Sequence, residues 1–455
     1  MKIFQTKIIV FILFSTLFCA NAIAQEDDYV ESEEGEYVEV DEDGNISNKT
    51  DGLRLKKNYN LGDGLTLISK STKINFAQSL QLLYVFNTAD DFETTNSQFR
   101  VRRARFKMTG TLFDNLVYFR IRLNLVSNFQ SATSGTRSFN NVLQDAYAEY
   151  RSPNGNHRLN FGLRADYIDS REVRFEGEVL GLIERSLISS AYDAIFDYGI
   201  RYQGEITIKN NHLIKPYLSI TSGDGNASLQ KNYGGFKYGA RLDYFPFGKF
   251  AGGGEFYMED IYREKRPKLI IGGVYSYNDG TTSAKGTNGG RYLYGDSNQK
   301  ELLPDYGKFT LEYLFKYQGF YSMGSYVKAQ AYIPDGIAGE FKLNGDWSPY
   351  TGTSEEIKNT VMSRLNTGSG FNVQAGYVLP SNWSFAARYT SLDPEKNAAD
   401  FASQDKAYSV ITTKYFNKNN LKIQAEIDYE ENRLVQQPNG SKGIFYGQLM
   451  LTLQL

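Results

Sequence analysis

Two segments near the end of the chain alternate apolar and polar side chains at every step. Odd positions from Leu421 to Tyr429 are apolar or aromatic, while the even positions are Lys, Gln, Glu and Asp. Residues 445–455 repeat this pattern with phenylalanine, leucine, glutamine and threonine. A period of two with one apolar and one wet face is typical of a β-strand. Because the pattern recurs along the chain without a helical counterpart, it indicates one closed sheet with lipid outside and water inside.

The alternation predicts sixteen strands, which gives an all-β fold: a 16-stranded antiparallel transmembrane β-barrel with short periplasmic turns and long external loops. The predicted strands are residues 73–86, 99–112, 116–127, 142–151, 158–166, 198–209, 212–221, 236–246, 268–278, 308–317, 320–332, 369–380, 383–392, 406–417, 420–431 and 442–455. Short turns are predicted at 113–115, 210–211, 318–319, 381–382 and 418–419. Residues 247–267 interrupt this scheme, and Glu255 to Ile261 are expected to form an extra strand-like piece there. About sixteen strands enclose a lumen wide enough for an aqueous channel.

The start of the chain resembles a secretory signal, with Lys2 and Lys7 before an apolar run and a small-residue cleavage site at residues 22–24. The single cysteine, Cys19, would leave with it, so no thiol chemistry is expected in the mature chain. Residues 25–64 are interpreted as an acidic, disordered segment and lead-in, and 65–455 as the barrel domain. A mean hydropathy of -0.45 and an aromatic content of 15% fit a water-filled barrel with aromatic girdles.

The charge is distributed unevenly along the chain. Residues 26–43 contain 11 acidic and no basic side chains. Without these and without Lys2 and Lys7, 48 basic and 41 acidic residues remain, a net charge of +7. An acidic N-terminal segment therefore precedes a basic remainder of the chain. The composition of this segment is typical of a solvated, disordered tail; binding to a basic partner or to Ca²⁺ is the alternative.

The period-two register turns many basic side chains toward the lumen, because charges facing lipid would cost about 2 to 4 kcal/mol each. The predicted pore-lining residues of the anion pathway are Arg103, Arg105, Lys107, Arg120, Arg122, Arg158, Arg164, Arg201 and Arg241. The long loop from Ile168 to Asp197 is expected to fold back inside as a constriction loop. Its basic residues are Arg171, Arg174 and Arg185, and its acids Glu172, Glu176, Glu178 and Glu184 nearly cancel them.

A wall of guanidinium groups favours anions such as phosphate or carboxylates. The competing interpretation is a mixed-charge diffusion pore, because Asp145 and Glu149 also point inward between the basic strands, as do Glu426, Asp428 and Glu430. Both alternatives remain open at this stage.

Several function classes are disfavoured. The two histidines, His157 and His212, fall in predicted periplasmic turns, so neither a zinc site nor a histidine-dependent nucleophile is expected. No enzyme activity or cofactor is predicted. No nucleic-acid partner is predicted either, because the basic residues face a lumen. A surface adhesin or scaffold whose barrel only anchors its loops is the alternative to a channel.

Several segments together resemble the phosphate-selective porin O and P family. They include FRVRRARFKMTGTLFDNLVYFRIRLN at 99–124, LQDAYAEYR at 143–151, LIERSL at 182–187, DYGIRYQGEI at 197–206 and GFNVQAGYVLPSNWSFAARYTSLDP at 370–394. The closing NLKIQAEIDY and GQLMLTLQL add to the resemblance, which extends from about residue 65 to the end. The matching motif positions are Arg102, Arg103, Arg105, Asp145, Tyr147, Glu184, Arg185, Gly199 and Arg388.

The resemblance implies a trimeric porin of the cell outer membrane, surrounded by outer-membrane lipids, with an arginine-lined route for small anionic solutes. The chain departs from the family after Gly162, where Leu163 to Tyr167 replace the usual Lys and Pro-Phe pair, which bears on the solute. It also ends in Leu455 where an aromatic residue is usual, which suggests a variant insertion signal.

Overall fold

The computed structural model describes residues 53–56, 59–89, 92, 95–126, 142–208, 211–225, 232–285, 292–342, 344–398, 404–432 and 443–455. The predictions for the signal peptide and for the acidic stretch 26–43 lie outside these residues. No helix in the described part of the chain is long and apolar enough to cross a membrane.

Sixteen antiparallel strands close into a barrel, as predicted, because the last strand pairs with the first along Ile444↔Ala89 to Gln454↔Ser79. The first eight are β3 (Lys73–Ala89), β4 (Thr95–Leu112), β5 (Val117–Asn124), β6 (Leu143–Arg151), β7 (His157–Ala165), β8 (Phe196–Gly204) with its continuation β9 (Ile206–Thr207), β10 (Leu213–Thr221) and β11 (Lys237–Phe245). The second eight are β12 (Lys268–Asn278), β14 (Asp305–Tyr317), β15 (Phe320–Tyr332), β18 (Gly368–Val378), β19 (Trp383–Pro394), β20 (Gln404–Asn417), β21 (Leu421–Asn432) and β22 (Gly443–Gln454).

Smaller elements are not part of the sixteen-stranded wall. Strands β1 (Arg54–Leu55) and β2 (Leu65–Ile68) form a ladder that continues onto β3. A separate three-stranded sheet consists of β13 (Leu293–Gly295), β16 (Gly339–Phe341) and β17 (Trp347–Pro349). The helices are α1 (Arg171–Arg174), α2 (Leu187–Tyr192) and α3 (Ser354–Met362), and 3-10 turns lie at Gly177–Val179 and Ala251–Phe256.

Burial along β21 is the reverse of that in a water-soluble protein. Ile427 is 50% exposed on the outer face, whereas Glu426 is 1% exposed in the interior. This is the distribution expected where the outside of the sheet meets lipid. The predicted register is therefore the observed one.

The predicted short turns connect strands at one end of the barrel. At 113–115 all three residues, Phe113, Asp114 and Asn115, have positive φ angles of 53°, 53° and 70°. Asn382 and Lys418 have φ angles of 61° and 44° in the turns at 381–382 and 418–419. Such left-handed residues allow the chain to reverse within two or three positions.

Candidate functional site

The long loop between β7 and β8, residues 166–195 and here called the inserted loop, folds into the barrel as predicted. Leu180, Leu182 and Ile183 are each 0% exposed. They pack in an apolar cluster that includes inward-facing residues of the opposite wall, among them Ile411 and Met450. The loop is therefore held by a hydrophobic core inside the barrel.

Polar contacts fix the same stretch of the inserted loop to β21. Glu426 Oε2 accepts a hydrogen bond from the Ile183 amide at 2.6 Å. Lys422 Nζ donates to the Leu180 carbonyl oxygen at 2.7 Å, and Gln424 Nε2 donates to the Gly181 carbonyl oxygen at 3.0 Å. Three successive inward side chains of one strand thus satisfy backbone groups that would otherwise be buried without partners.

Residues 246–267, here called the periplasmic segment, also enter the lumen. The expectation of a strand-like piece at Glu255 to Ile261 is wrong, because the segment begins with the 3-10 turn Ala251–Phe256. Gly252 and Gly253 have φ angles of 55° and 68°, a left-handed conformation that turns the chain inward. Met258, Glu259 and Asp260 of this segment are buried inside the barrel.

Lysines of the barrel wall bind the periplasmic segment. Lys316 Nζ on β14 donates to the carbonyl oxygens of Gly254, Tyr257 and Glu259 at 2.8, 2.8 and 2.7 Å. Lys215 adds an ion pair to Glu255 at 2.7 Å.

The two inward segments touch each other near the middle of the barrel. The Gly181 amide donates to Met258 Sδ at 3.3 Å. A Cβ atom at Gly181 would lie 3.0 Å from that sulfur and 3.0 Å from Glu259 Cγ, so no side chain fits between them. Together the segments fill the lumen beside the walls formed by β12 to β22 and leave space along β4 to β8.

That space is a cavity of about 950 Å³, here called the basic cavity. Its charged lining is strongly asymmetric, with twelve basic and four acidic residues. The basic ones are Arg102, Arg103, Arg105, Lys107, Arg120, Arg122, Arg151, Arg158, Arg164, Arg174, Arg185 and Lys418. The acidic ones are Asp63, Asp145, Glu149 and Glu176.

Nine of the twelve residues predicted for the pore and its constriction line this cavity. The nine are Arg103, Arg105, Lys107, Arg120, Arg122, Arg158, Arg164, Arg174 and Arg185. The other three, Arg171, Arg201 and Arg241, point inward but do not line the cavity, and each is at most 2% exposed.

Carboxylates neutralise the three arginines that lie away from the cavity. Arg171 Nη2 lies 2.8 Å and Arg241 Nε 2.9 Å from Asp243 Oδ1, while Arg201 lies 3.3 Å from Asp166. Buried ion pairs of this kind connect the inserted loop to β8 and β11.

Several cavity arginines also have acidic partners, which come from the inserted loop and from β6. Arg105 lies 2.8 Å from Glu178, and Arg120 Nη2 lies 2.6 Å from Glu176. Asp145 is shared, because the Nε atoms of Arg120 and Arg122 lie 3.0 and 2.9 Å from it. The mixed-charge interpretation of the sequence therefore describes part of this wall.

Two carboxylates of the inserted loop, Glu178 and Glu184, are held in their ionised form. Burial disfavours the charge of Glu178, but Arg105 outweighs that effect and lowers the pKa of Glu178 to about 2. Glu184 is also buried, yet its hydrogen bond from Arg102 and the charge of Arg103 lower its pKa to about 2.

Other guanidinium groups make their closest contacts with neutral groups. Arg185 donates to the carbonyl oxygens of Glu172 and Phe175 at 3.0 and 2.7 Å, and it forms no ion pair with the described residues. Arg158 likewise lacks an acidic partner within that part of the chain. Arg103 Nη1 donates to the neutral Gln81 at 2.7 Å, and its nearest carboxylate, Glu184, is 3.5 Å away.

The period-two interpretation missed the role of Arg102 as a lumen residue. The ladder between β3 and β4 shifts at Gln81 and Leu82, so that Gln81 pairs with Arg103 and Leu82 with Val101. This β-bulge gives Arg102 no cross-strand partner, and it binds Glu184 of the inserted loop next to Arg103. Only the family motif marked Arg102 in the sequence.

Tyrosines orient the arginines along the cavity. Arg164 Cζ lies 4.5 Å from the ring centre of Tyr147 and 4.4 Å from that of Tyr167, and Arg151 Cζ lies 4.2 Å from Tyr118. Cation–π contacts of this kind fix the plane of a guanidinium without neutralising it. In the described ranges no group of three or more His, Cys, Asp or Glu side chains is placed to hold a metal ion.

Solved structures with this architecture are outer-membrane porins. OmpF of Salmonella typhi, solved with daunomycin, is 13% identical, with coverage of 86% of this chain and 100% of that chain and a TM-score of 0.51. An anion-selective porin of Comamonas acidovorans is 9% identical, with 84% and 100% coverage and a TM-score of 0.49. OmpT of Vibrio cholerae in its trimer form is 10% identical, with 85% and 100% coverage and a TM-score of 0.46. No match was found among curated proteins.

The closed barrel, its inserted loop and the match to a porin family model support an outer-membrane channel of the porin type. The family model described as phosphate-selective porin O and P matches residues 74–248, which include the first eight barrel strands and the inserted loop. Over residues 74–248 the chain is similar to that family, and the resemblance drawn from the sequence is confirmed there.

Proposed function

We propose that this porin passes small anionic solutes passively and prefers anions of the phosphate type. One observation carries the proposal: the inward segments leave open space beside the wall where twelve of sixteen charged lining residues are basic. An excess of fixed positive charge raises the local concentration of anions and lowers that of cations.

The ion pairs within the cavity are compatible with this preference. Glu176 and Glu178 neutralise part of the wall, but Arg158 and Arg185 keep uncompensated charge, and Arg103 lies nearer to a neutral amide than to a carboxylate. Forked guanidinium donors suit the oxygens of phosphate and carboxylate groups. The nearest alternative is a pore without ion selectivity, in which the arginine–carboxylate pairs only maintain an electric field across the lumen.

Planar-bilayer recording under a potassium chloride gradient tests the proposal. We expect a reversal potential on the anion-selective side, and competing phosphate should reduce the chloride current. Replacement of Arg103, Arg105 and Arg122 with Ala removes three of the twelve basic charges and should shift the potential toward cations. Lys358→Ala is the control, since it removes one exposed charge that pairs with Asp335 outside the cavity.

A cation-selective potential for the unmodified protein would refute the proposal, and an unchanged potential in the triple variant would assign those arginines to structural ion pairs. Liposome swelling in sugar or phosphate separates a channel from an adhesin or scaffold, because a barrel that only anchors loops need not leak.

Two proposals concern organisation. From the family resemblance we propose that the protein is a homotrimer in the lipids of the outer membrane. From the lysines, apolar run and small-residue site at the start of the chain we propose that residues 1–24 are removed as a signal peptide. Residues 65–455 would then form the porin domain, preceded by the acidic segment.

A further inference from the structure

The N-terminal part of the described chain lies at the rim of the basic cavity. Asn60, Leu61 and Asp63 are lining residues, together with the turn between β20 and β21. Asn420 Nδ2 of that turn donates to the Leu61 carbonyl oxygen at 2.7 Å. The chain that precedes residue 53 therefore starts close to the mouth through which solutes reach the cavity.

The sequence before this point is the electrostatic complement of the cavity. Residues 26–43 contain 11 acidic and no basic side chains, whereas the cavity lining has twelve basic and four acidic ones. Opposite charges attract most strongly where low-dielectric walls limit screening by water.

The acidic stretch is also tethered at a suitable distance. Nine residues, 44–52, separate Asp43 from Leu53, and fully extended they span at most about 30 Å. The apolar band of an outer-membrane barrel is about 25 Å tall. Even a partly extended linker therefore allows the acidic residues to enter the cavity from its rim.

We infer that residues 26–43 bind in the basic cavity and compete there with permeating anions. This inference rests on the proposed function, because the cavity must be the anion route for the competition to matter. A tether of nine residues gives a local concentration of about millimolar, so a segment with a similar dissociation constant would occupy the cavity about half of the time. The partner is thus a stretch of this same chain, and a basic periplasmic protein is the other candidate.

Single-channel recording of three proteins tests the inference: the full chain, a deletion of residues 26–43, and a chain of full length whose eleven acids are changed to Gln or Asn. In dilute salt, the deletion and the neutralised chain should both conduct about twice as much as the full chain if the cavity is half occupied. The difference should vanish at about 1 M salt, where the Debye length falls to about 3 Å.

A synthetic peptide of residues 26–43 supplies the second arm. Added to the deletion variant on the periplasmic side, it should lower the current, while addition to the other side or a neutral peptide of equal length should not. Equal conductance of all three proteins in dilute salt, or equal block by both peptides, would overturn the inference and leave a basic partner as the explanation of the segment. The reversal potential of the deletion variant tests the proposed function separately, since it depends only on the cavity.

Discussion

Lys316 offers a direct test of whether the periplasmic segment limits the current through the barrel. Its ammonium group is 1% exposed and donates to three carbonyl oxygens of that segment. Lys316→Met keeps the length of the side chain and removes all three hydrogen bonds. The segment should then leave its docked position more often and widen the lumen.

The expected size follows from the contacts. Hydrogen bonds from charged groups contribute a net stabilisation of about 1.5 to 3 kcal/mol each after exchange with water, so three contribute roughly 4.5 to 9 kcal/mol. Even a loss of about 3 kcal/mol changes the ratio of docked to undocked segment by more than a hundredfold. The pair between Lys215 and Glu255 opposes release, so Lys215→Met combined with Lys316→Met should show the larger effect.

The assay is single-channel conductance in planar bilayers. We expect Lys316→Met to give a higher and noisier conductance than the unmodified protein, and the double variant a higher one still. Lys328→Met is the matched control, because Lys328 lies exposed on the neighbouring strand β15. If a well-folded double variant conducts like the control, the periplasmic segment does not limit the current.

Two further predictions concern acid stability and assembly. Because the pKa of Glu178 and Glu184 falls from 4.5 to about 2 in the folded protein, their stabilisation should be complete above about pH 4.5 and disappear as the pH falls through 2. Thermal unfolding in detergent should show this loss of stability at low pH, and the double variant Glu178→Gln, Glu184→Gln should lack this pH dependence. A decline in stability that starts near neutral pH would contradict the assignment. For the proposed homotrimer, chemical cross-linking in intact outer membranes should give a band of three times the monomer mass, and only monomers would contradict it.

The barrel was predictable because its signal is local and repeated. Ile427 and Glu426 face opposite solvents, and a similar contrast in other strands indicates their register. The inserted loop was also predictable, since its length exceeded what a surface connection needs.

Features that depend on contacts between distant segments were not predictable. Residues 255–261 were expected to form a strand-like piece, but Lys316, far away in the sequence, binds their backbone inside the barrel. The partners of Arg201 and Arg241 decide that these two residues are sealed, although their register matches that of cavity residues. Periodicity gives the face of a side chain, whereas access to water depends on what covers that face.

The apolar cluster around the inserted loop has a consequence for motion. Phe175, Leu180, Leu182 and Ile183 are all at most 1% exposed, and transfer of each to water costs about 1.5 to 3 kcal/mol. An outward swing of the loop would wet all four at once, at a cost of roughly 6 to 12 kcal/mol. The inserted loop therefore stays in place while solutes pass, and its thermal or voltage-driven excursions are rare.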